Sequence, residues 1–94
     1  MKVLHLTLKK EWFDMIASGV KKEEYRELKD YWKKRLEGKA FTHVHFRNGY
    51  AKDAPVMVCE LNAIRKGLGV KEWGAQDNTK YYVLMLGKQQ YLRR

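Results

Sequence analysis

Ninety-four residues carrying a formal charge of +9, with 45% apolar and 13% aromatic content, describe one folded domain over residues 1–94 and exclude a disordered basic tail. One cysteine, Cys59, excludes a disulfide scaffold and fits a reducing, cytoplasmic setting, while no run reaches the roughly 18 apolar residues of a membrane span and His5 and Lys9-Lys10 interrupt the N-terminal apolar stretch as no signal peptide would allow. The excess of positive charge points to a polyanionic partner, either nucleic acid or a phosphorylated ligand, and away from a membrane surface.

Residues 3–8 alternate, with Leu4, Leu6 and Leu8 on one face and Val3, His5 and Thr7 on the other, which predicts a strand. Residues 10–18 switch to helical spacing. Trp12 and Ile16 stand four apart, Phe13, Ile16 and Ala17 share a face, and Gly19 occupies the expected C-cap. Residues 20–27 read as a charged extended segment. A second helix is predicted over residues 30–37, with Asp30 as N-cap and Gly38 as stop. Leu28, Tyr31, Trp32 and Leu36 would form its buried stripe, and Lys33, Lys34 and Lys39 would face water. Residues 41–47 alternate again, with Val44 and Phe46 opposite His43, His45 and Arg47, and Asn48-Gly49 marks a turn. Residues 55–63 predict a longer strand, apolar on both faces until Glu60 and Asn62. Residues 67–79 hold Gly67, Gly69, Gly74 and Trp73 and read as a long loop with one helical turn. The apolar, β-forming run 81–86 predicts a central strand, followed by a tail ending in Arg93-Arg94. No repeat or low-complexity tract interrupts this order, and the expected class is α+β.

The segment Gly19-Val20-Lys21-Lys22-Glu23-Glu24-Tyr25-Arg26 reads G-x-K-x-x-E-x-R. In an extended chain Lys22, Glu24 and Arg26 share one face, with Lys21, Glu23 and Tyr25 opposite. Bringing Lys21 to Glu24 therefore requires a bulge or turn near residues 22–23. Once together, Lys21 offers a point charge to a phosphate or carbonyl oxygen. Glu24 accepts hydrogen bonds from a base amino group or a ribose hydroxyl. Arg26 forks to a phosphate or clamps Glu24. The plainer interpretation is a Glu24–Arg26 surface pair beside solvated lysines, which is worth little.

Trp12, Tyr25, Tyr50 and Trp73 are the candidates for stacking on bases beside basic residues. Trp12 reads as core from its spacing to Ile16, and Tyr50, between a turn and Lys52, reads as exposed. His43 and His45 share a strand face, but His5 is the only other histidine, so no metal site is expected. Cys59 has no neighbouring base and is not expected to act as a nucleophile. Gly67-Leu68-Gly69 fits no phosphate loop, and Ser18 is the sole serine, which leaves no serine triad.

Leu6-Thr7-Leu8, Trp12, Ile16, the G-x-K-x-x-E-x-R segment and Phe46-Arg47-Asn48-Gly49-Tyr50 occur in an order that resembles the ASCH family of the PUA-like superfold. The resemblance covers the first half of the chain well and the rest loosely. It implies a small mixed β-barrel of about five strands with two main helices over one opening. It also implies a basic cleft for RNA, another nucleic acid or a nucleotide-like small molecule, with no cofactor. Thr7, Lys21, Glu24, Arg26, Arg47 and Tyr50 would line that cleft. Some members resemble small amidohydrolases that deacylate a modified cytidine, using the motif lysine, a threonine three residues later and a downstream carboxylate. Here Glu24 stands at the threonine position, and a carboxylate does not replace a hydroxyl nucleophile in acyl transfer. Lys21 and Glu24 would be catalytic only as carbonyl polariser and general base on water, with Glu72 and Asp77 in the late loop unassigned. RNA or nucleotide binding is the expected function, a hydrolase acting on a modified nucleoside or on RNA is the alternative, and an interaction protein whose charge serves solubility is a third.

Overall fold

The computed structural model describes residues 1–94. In chain order the elements are β1 (Val3–Leu8), α1 (Lys10–Ala17), β2 (Glu23–Glu27), α2 (Asp30–Leu36), β3 (His43–Asn48), β4 (Val56–Leu68), a short 3-10 turn (Lys71–Trp73) and β5 (Lys80–Arg93). The strands form one sheet in the order β1-β3-β4-β5-β2. Only β1 and β3 run parallel, from Val3 opposite His43 to Leu8 opposite Asn48; the other three pairings are antiparallel. A parallel pair needs a long crossover, and α1, β2 and α2 supply it. The sheet curls into a half-barrel, with β1 and β2 as its two edges and no ladder between them. No helix is long and apolar enough to cross a membrane.

Strand alternation decides what fills the concave side. Leu4, Leu6 and Leu8 of β1 meet Val44 and Phe46 of β3, Met57, Cys59 and Leu61 of β4, and Tyr82 and Leu84 of β5. Phe13 and Ile16 from α1 and Leu36 from α2 close this core. Full burial of each large apolar side chain contributes roughly 1.5–3 kcal/mol. A second, smaller cluster of Tyr25, Ala75 and Val83 lies apart from it, packed by Trp73, Tyr81 and Met85. Gly19 (φ +84°) and Gly38 (φ +72°) take left-handed conformations after the two helices, as their expected stop roles require.

Three sequence expectations are corrected. On α2 only Leu36 of the predicted stripe is buried; Leu28 and Tyr31 are exposed and Trp32 is half-buried. The helix has seven residues and meets the core through buried Leu36 and the half-buried Trp32 ring. Lys33, Lys34 and Lys39 are exposed. Second, β4 runs on to Leu68 and β5 starts at Lys80 and continues to Arg93, so both absorb residues read as loop or tail. These strands pair as one long ribbon whose register shifts between Val58 and Ala63. Glu60 bridges the irregularity: Oε1 accepts from the Lys88 N–H at 3.1 Å and Oε2 from Gln90 Nε2 at 3.2 Å. Backbone pairing, not alternation, holds these polar residues in strand conformation. Third, no bulge is needed at residues 22–23, because β2 begins only at Glu23 and Lys21 precedes it.

Candidate functional site

Gly19 turns the chain out of α1, and the Lys21 N–H donates to the Met15 carbonyl at 3.0 Å. Strand alternation does not apply to Lys21, so its side chain is free to turn inward. The ammonium lies 3.2 Å from Glu24 Oε1 and donates to the Trp73 carbonyl at 2.5 Å. Lys21 is only 2% exposed. The rings of Trp12 and Tyr25 cover it, with centroids 5.2 and 4.8 Å from Nζ. Burial holds this ammonium below the usual lysine value, and the Glu24 carboxylate opposes that shift.

Glu24 and Arg26 lie two apart on β2 and share a face. Arg26 Nη1 donates to Glu24 Oε2 and, at 2.9 Å, to the Tyr25 carbonyl. Its Nη2 donates to the Thr7 carbonyl at 3.3 Å. One guanidinium therefore spans the seam that the sheet leaves open between β1 and β2. Lys21, Glu24 and Arg26 form a chain of two cations about one nearly buried carboxylate.

Over this seam lies a cleft of about 560 Å3. Thr7, Glu24 and Arg26 line it from the two strand edges, Trp12 from α1, and Tyr31, Trp32 and Arg35 from α2. Lys9 and Tyr50 complete its rim; both are exposed, Tyr50 by 87%. The Trp32 ring carries two guanidinium contacts, from Arg26 at 5.3 Å and from Arg35 at 5.1 Å. Arg35 donates to the His5 carbonyl at 3.1 Å and forms no ion pair, so its charge is available to an anion.

Of the residues proposed from sequence, Thr7, Glu24, Arg26 and Tyr50 line the cleft, and Lys21 stands behind Glu24 without reaching it. Arg47 does not join them. Its Nη2 donates to the Ala51 carbonyl, bracing the turn after β3, and its Nε is buried without a partner. The Trp73 ring packs in the small cluster, and only its carbonyl serves the site. Tyr25 hydrogen-bonds Glu23 at 2.8 Å and accepts from the Val70 N–H at 2.8 Å, and burial pushes its phenol above the ordinary value. Trp12, expected in the core, is half-buried between Lys21 and the cleft.

Sequence reasoning missed Trp32, Arg35 and Lys9. Tyr31 and Arg35 are four apart and Trp32 and Arg35 three apart, which places an aromatic–arginine face on α2. That mixed face was the available signal, and an apolar-stripe interpretation overlooked it. Elsewhere, the His5 and His45 rings lie 4.9 Å apart, and Cys59 is buried with its thiol pushed up to about 11.

Comparison with protein-family models, with curated proteins and with solved structures finds no match to this chain.

Proposed function

We propose that this chain is an ASCH-like, PUA-like binding module that holds single-stranded RNA, or a nucleotide-like ligand, in the cleft over the β1–β2 seam. The observation that carries this reading is the pairing of an acceptor-only carboxylate, Glu24, with the adjacent Trp32–Arg35 wall. A base stacks on an aromatic face, a phosphate pairs with a guanidinium, and a carboxylate selects donors on a base edge or ribose. The volume of about 560 Å3 falls within the range of ligand pockets, and the rim is open enough for a strand to enter and leave. Arg35 and Lys9 are the phosphate-facing cations, Trp32 and Tyr50 the stacking platforms, and Glu24 the selector. Lys21 acts from behind, pairing with Glu24 and fixing its carboxylate in place.

The hydrolase alternative is less well supported. Lys21 is enclosed by Trp12, Tyr25 and the Trp73 carbonyl, so it has no path to a substrate carbonyl in the cleft. Both Glu24 carboxylate oxygens are already engaged, one by Lys21 and one by Arg26. Both facts suit a fixed acceptor better than a general base.

Titration of tryptophan fluorescence with a short single-stranded RNA tests the proposal. Binding should weaken linearly in log–log form with salt, by about 0.7 per phosphate contacted. Arg35→Ala should weaken it about tenfold, within the roughly 1–3 kcal/mol of a stacked, charge-assisted contact, while Lys34→Ala should have little effect. No binding at low salt, or equal losses in the two variants, refutes the reading.

A further inference from the structure

The β4 strand is longer than its partner on one side. β3 pairs with it only from Val56 to Glu60, and the last tie is the Leu61 N–H donating to the Thr42 carbonyl at 2.9 Å. From there to Leu68, β4 is bonded to β5 on one side and faces no strand on the other. Residues 62–68 are thus an open sheet edge inside the fold, with backbone donors and acceptors directed outward at alternate positions.

A groove of about 430 Å3 runs along this edge, between residues 61–66 and 36–41. Leu36, Phe41, Leu61 and Ile64 form its apolar floor, packed on the main core. Its rim carries three cations, Lys39, Arg65 and Lys66, against one carboxylate, Glu37. Lys66 pairs with Glu37 at 3.0 Å and Arg65 with Glu23 at 3.4 Å, while Lys39 pairs with nothing. The groove and the cleft over the β1–β2 seam have no lining residue in common.

We propose that this edge is a docking site for an extended acidic peptide segment of a partner protein, added as a strand beside residues 62–68. Main-chain hydrogen bonds to the open edge supply the ladder, and alternate apolar side chains drop onto the Leu36–Ile64 floor. The intervening side chains point outward, where carboxylates meet Lys39 and the cationic rim. Charge also decides against a second copy of this chain. Edge-to-edge pairing of two β4 strands would set Arg65-Lys66 beside the same pair, and like charges across a ladder are destabilising. An arginine–lysine edge therefore rejects itself and accepts an acidic strand.

The test is an NMR titration of the full chain with a short blocked peptide alternating valine and glutamate. Two control peptides are used: one alternates valine and lysine, and the other keeps the glutamates but carries proline at every other position. The glutamate peptide should shift and protect the amides of residues 62–68. Neither control should do so, because one has the wrong charge and the other cannot form a ladder. Lys39→Glu should weaken binding about three-fold, the scale of one rim charge. The proposal is overturned by unchanged 62–68 amides, or by an equal response to either control. Protection of the same amides by self-association or by single-stranded RNA alone overturns it as well.

Discussion

Replacing Lys21 with methionine isolates the buried charge chain from everything around it. The substitution keeps most of the side-chain length beneath Trp12 and Tyr25 and removes only the ammonium. Glu24 then keeps Arg26 alone, and the Trp73 carbonyl loses the donor it has at 2.5 Å. Removing one partner of a buried ion pair costs roughly 3–5 kcal/mol. An orphaned carbonyl costs roughly 1–3 kcal/mol, but that loss overlaps with the first. Two features pull the figure to the lower end: Arg26 still compensates Glu24, and methionine escapes the desolvation that depresses the Lys21 pKa. The expected loss is about 3 kcal/mol, a large share of the roughly 5–14 kcal/mol available to a domain of this size. Urea unfolding reads it as a lower midpoint at unchanged slope, and thermal unfolding as a drop of roughly 12–24 °C. Lys34→Met, on the exposed face of α2, should stay within about 0.5 kcal/mol. Adding Glu24→Gln to Lys21→Met should cost less than the two single changes together, because the first already breaks the pair. A loss below about 1 kcal/mol for Lys21→Met, or strict additivity in the double variant, refutes the buried-chain account.

Two further outcomes follow from titratable groups outside the cleft. Burial and the adjacent His5 hold His45 below the ordinary histidine value of 6.5, with Arg47 and Arg93 adding to the shift. The unfolded chain then binds a proton that the folded chain resists, so stability is full above about pH 6.5 and falls as pH drops toward the His45 value. His45→Gln should flatten that decline in urea unfolding between about pH 7 and pH 5; an identical decline in both proteins refutes the assignment. The Cys59 thiol, pushed up to about 11 by burial, should react with a thiol reagent at neutral pH only when the chain opens. Its labelling rate should rise with urea in step with unfolding, and fast labelling of the native protein would place the thiol outside the core.

Local pattern made part of this molecule legible. Alternation in β1 and β3, helical spacing in α1, and the glycine after each helix are decided by residues a few positions apart, and they stand where expected. The ends of β4 and β5 were not legible, because a ribbon that shifts register at Glu60 carries polar residues by pairing instead of alternation. The open, half-barrel character of the α+β fold depends on strand neighbours distant in sequence. At the site, the Lys21–Glu24–Arg26 convergence could be stated as a requirement of the motif. The depth of Lys21 could not, because its cover is the carbonyl of Trp73, 52 positions away. Arg47 was placed in the cleft by its neighbours in sequence, but its guanidinium turns back to Ala51.

The depth of Lys21 and the turning of Arg47 back to Ala51 point to a division of labour between the motif and α2. The motif charges are largely spent on one another: Lys21 on Glu24 and Trp73, Arg26 on Glu24, Tyr25 and Thr7. Their sum is a rigid seam that joins two unpaired strand edges and presents one carboxylate. The unspent cation, Arg35, sits on a seven-residue helix that meets the core through Leu36 and Trp32. Arg35 can therefore change with little cost to the fold, whereas Lys21 and Glu24 cannot. Under the proposed function, Arg35 serves affinity and Lys21 serves stability, so Arg35→Ala and Lys21→Met should separate affinity from unfolding free energy.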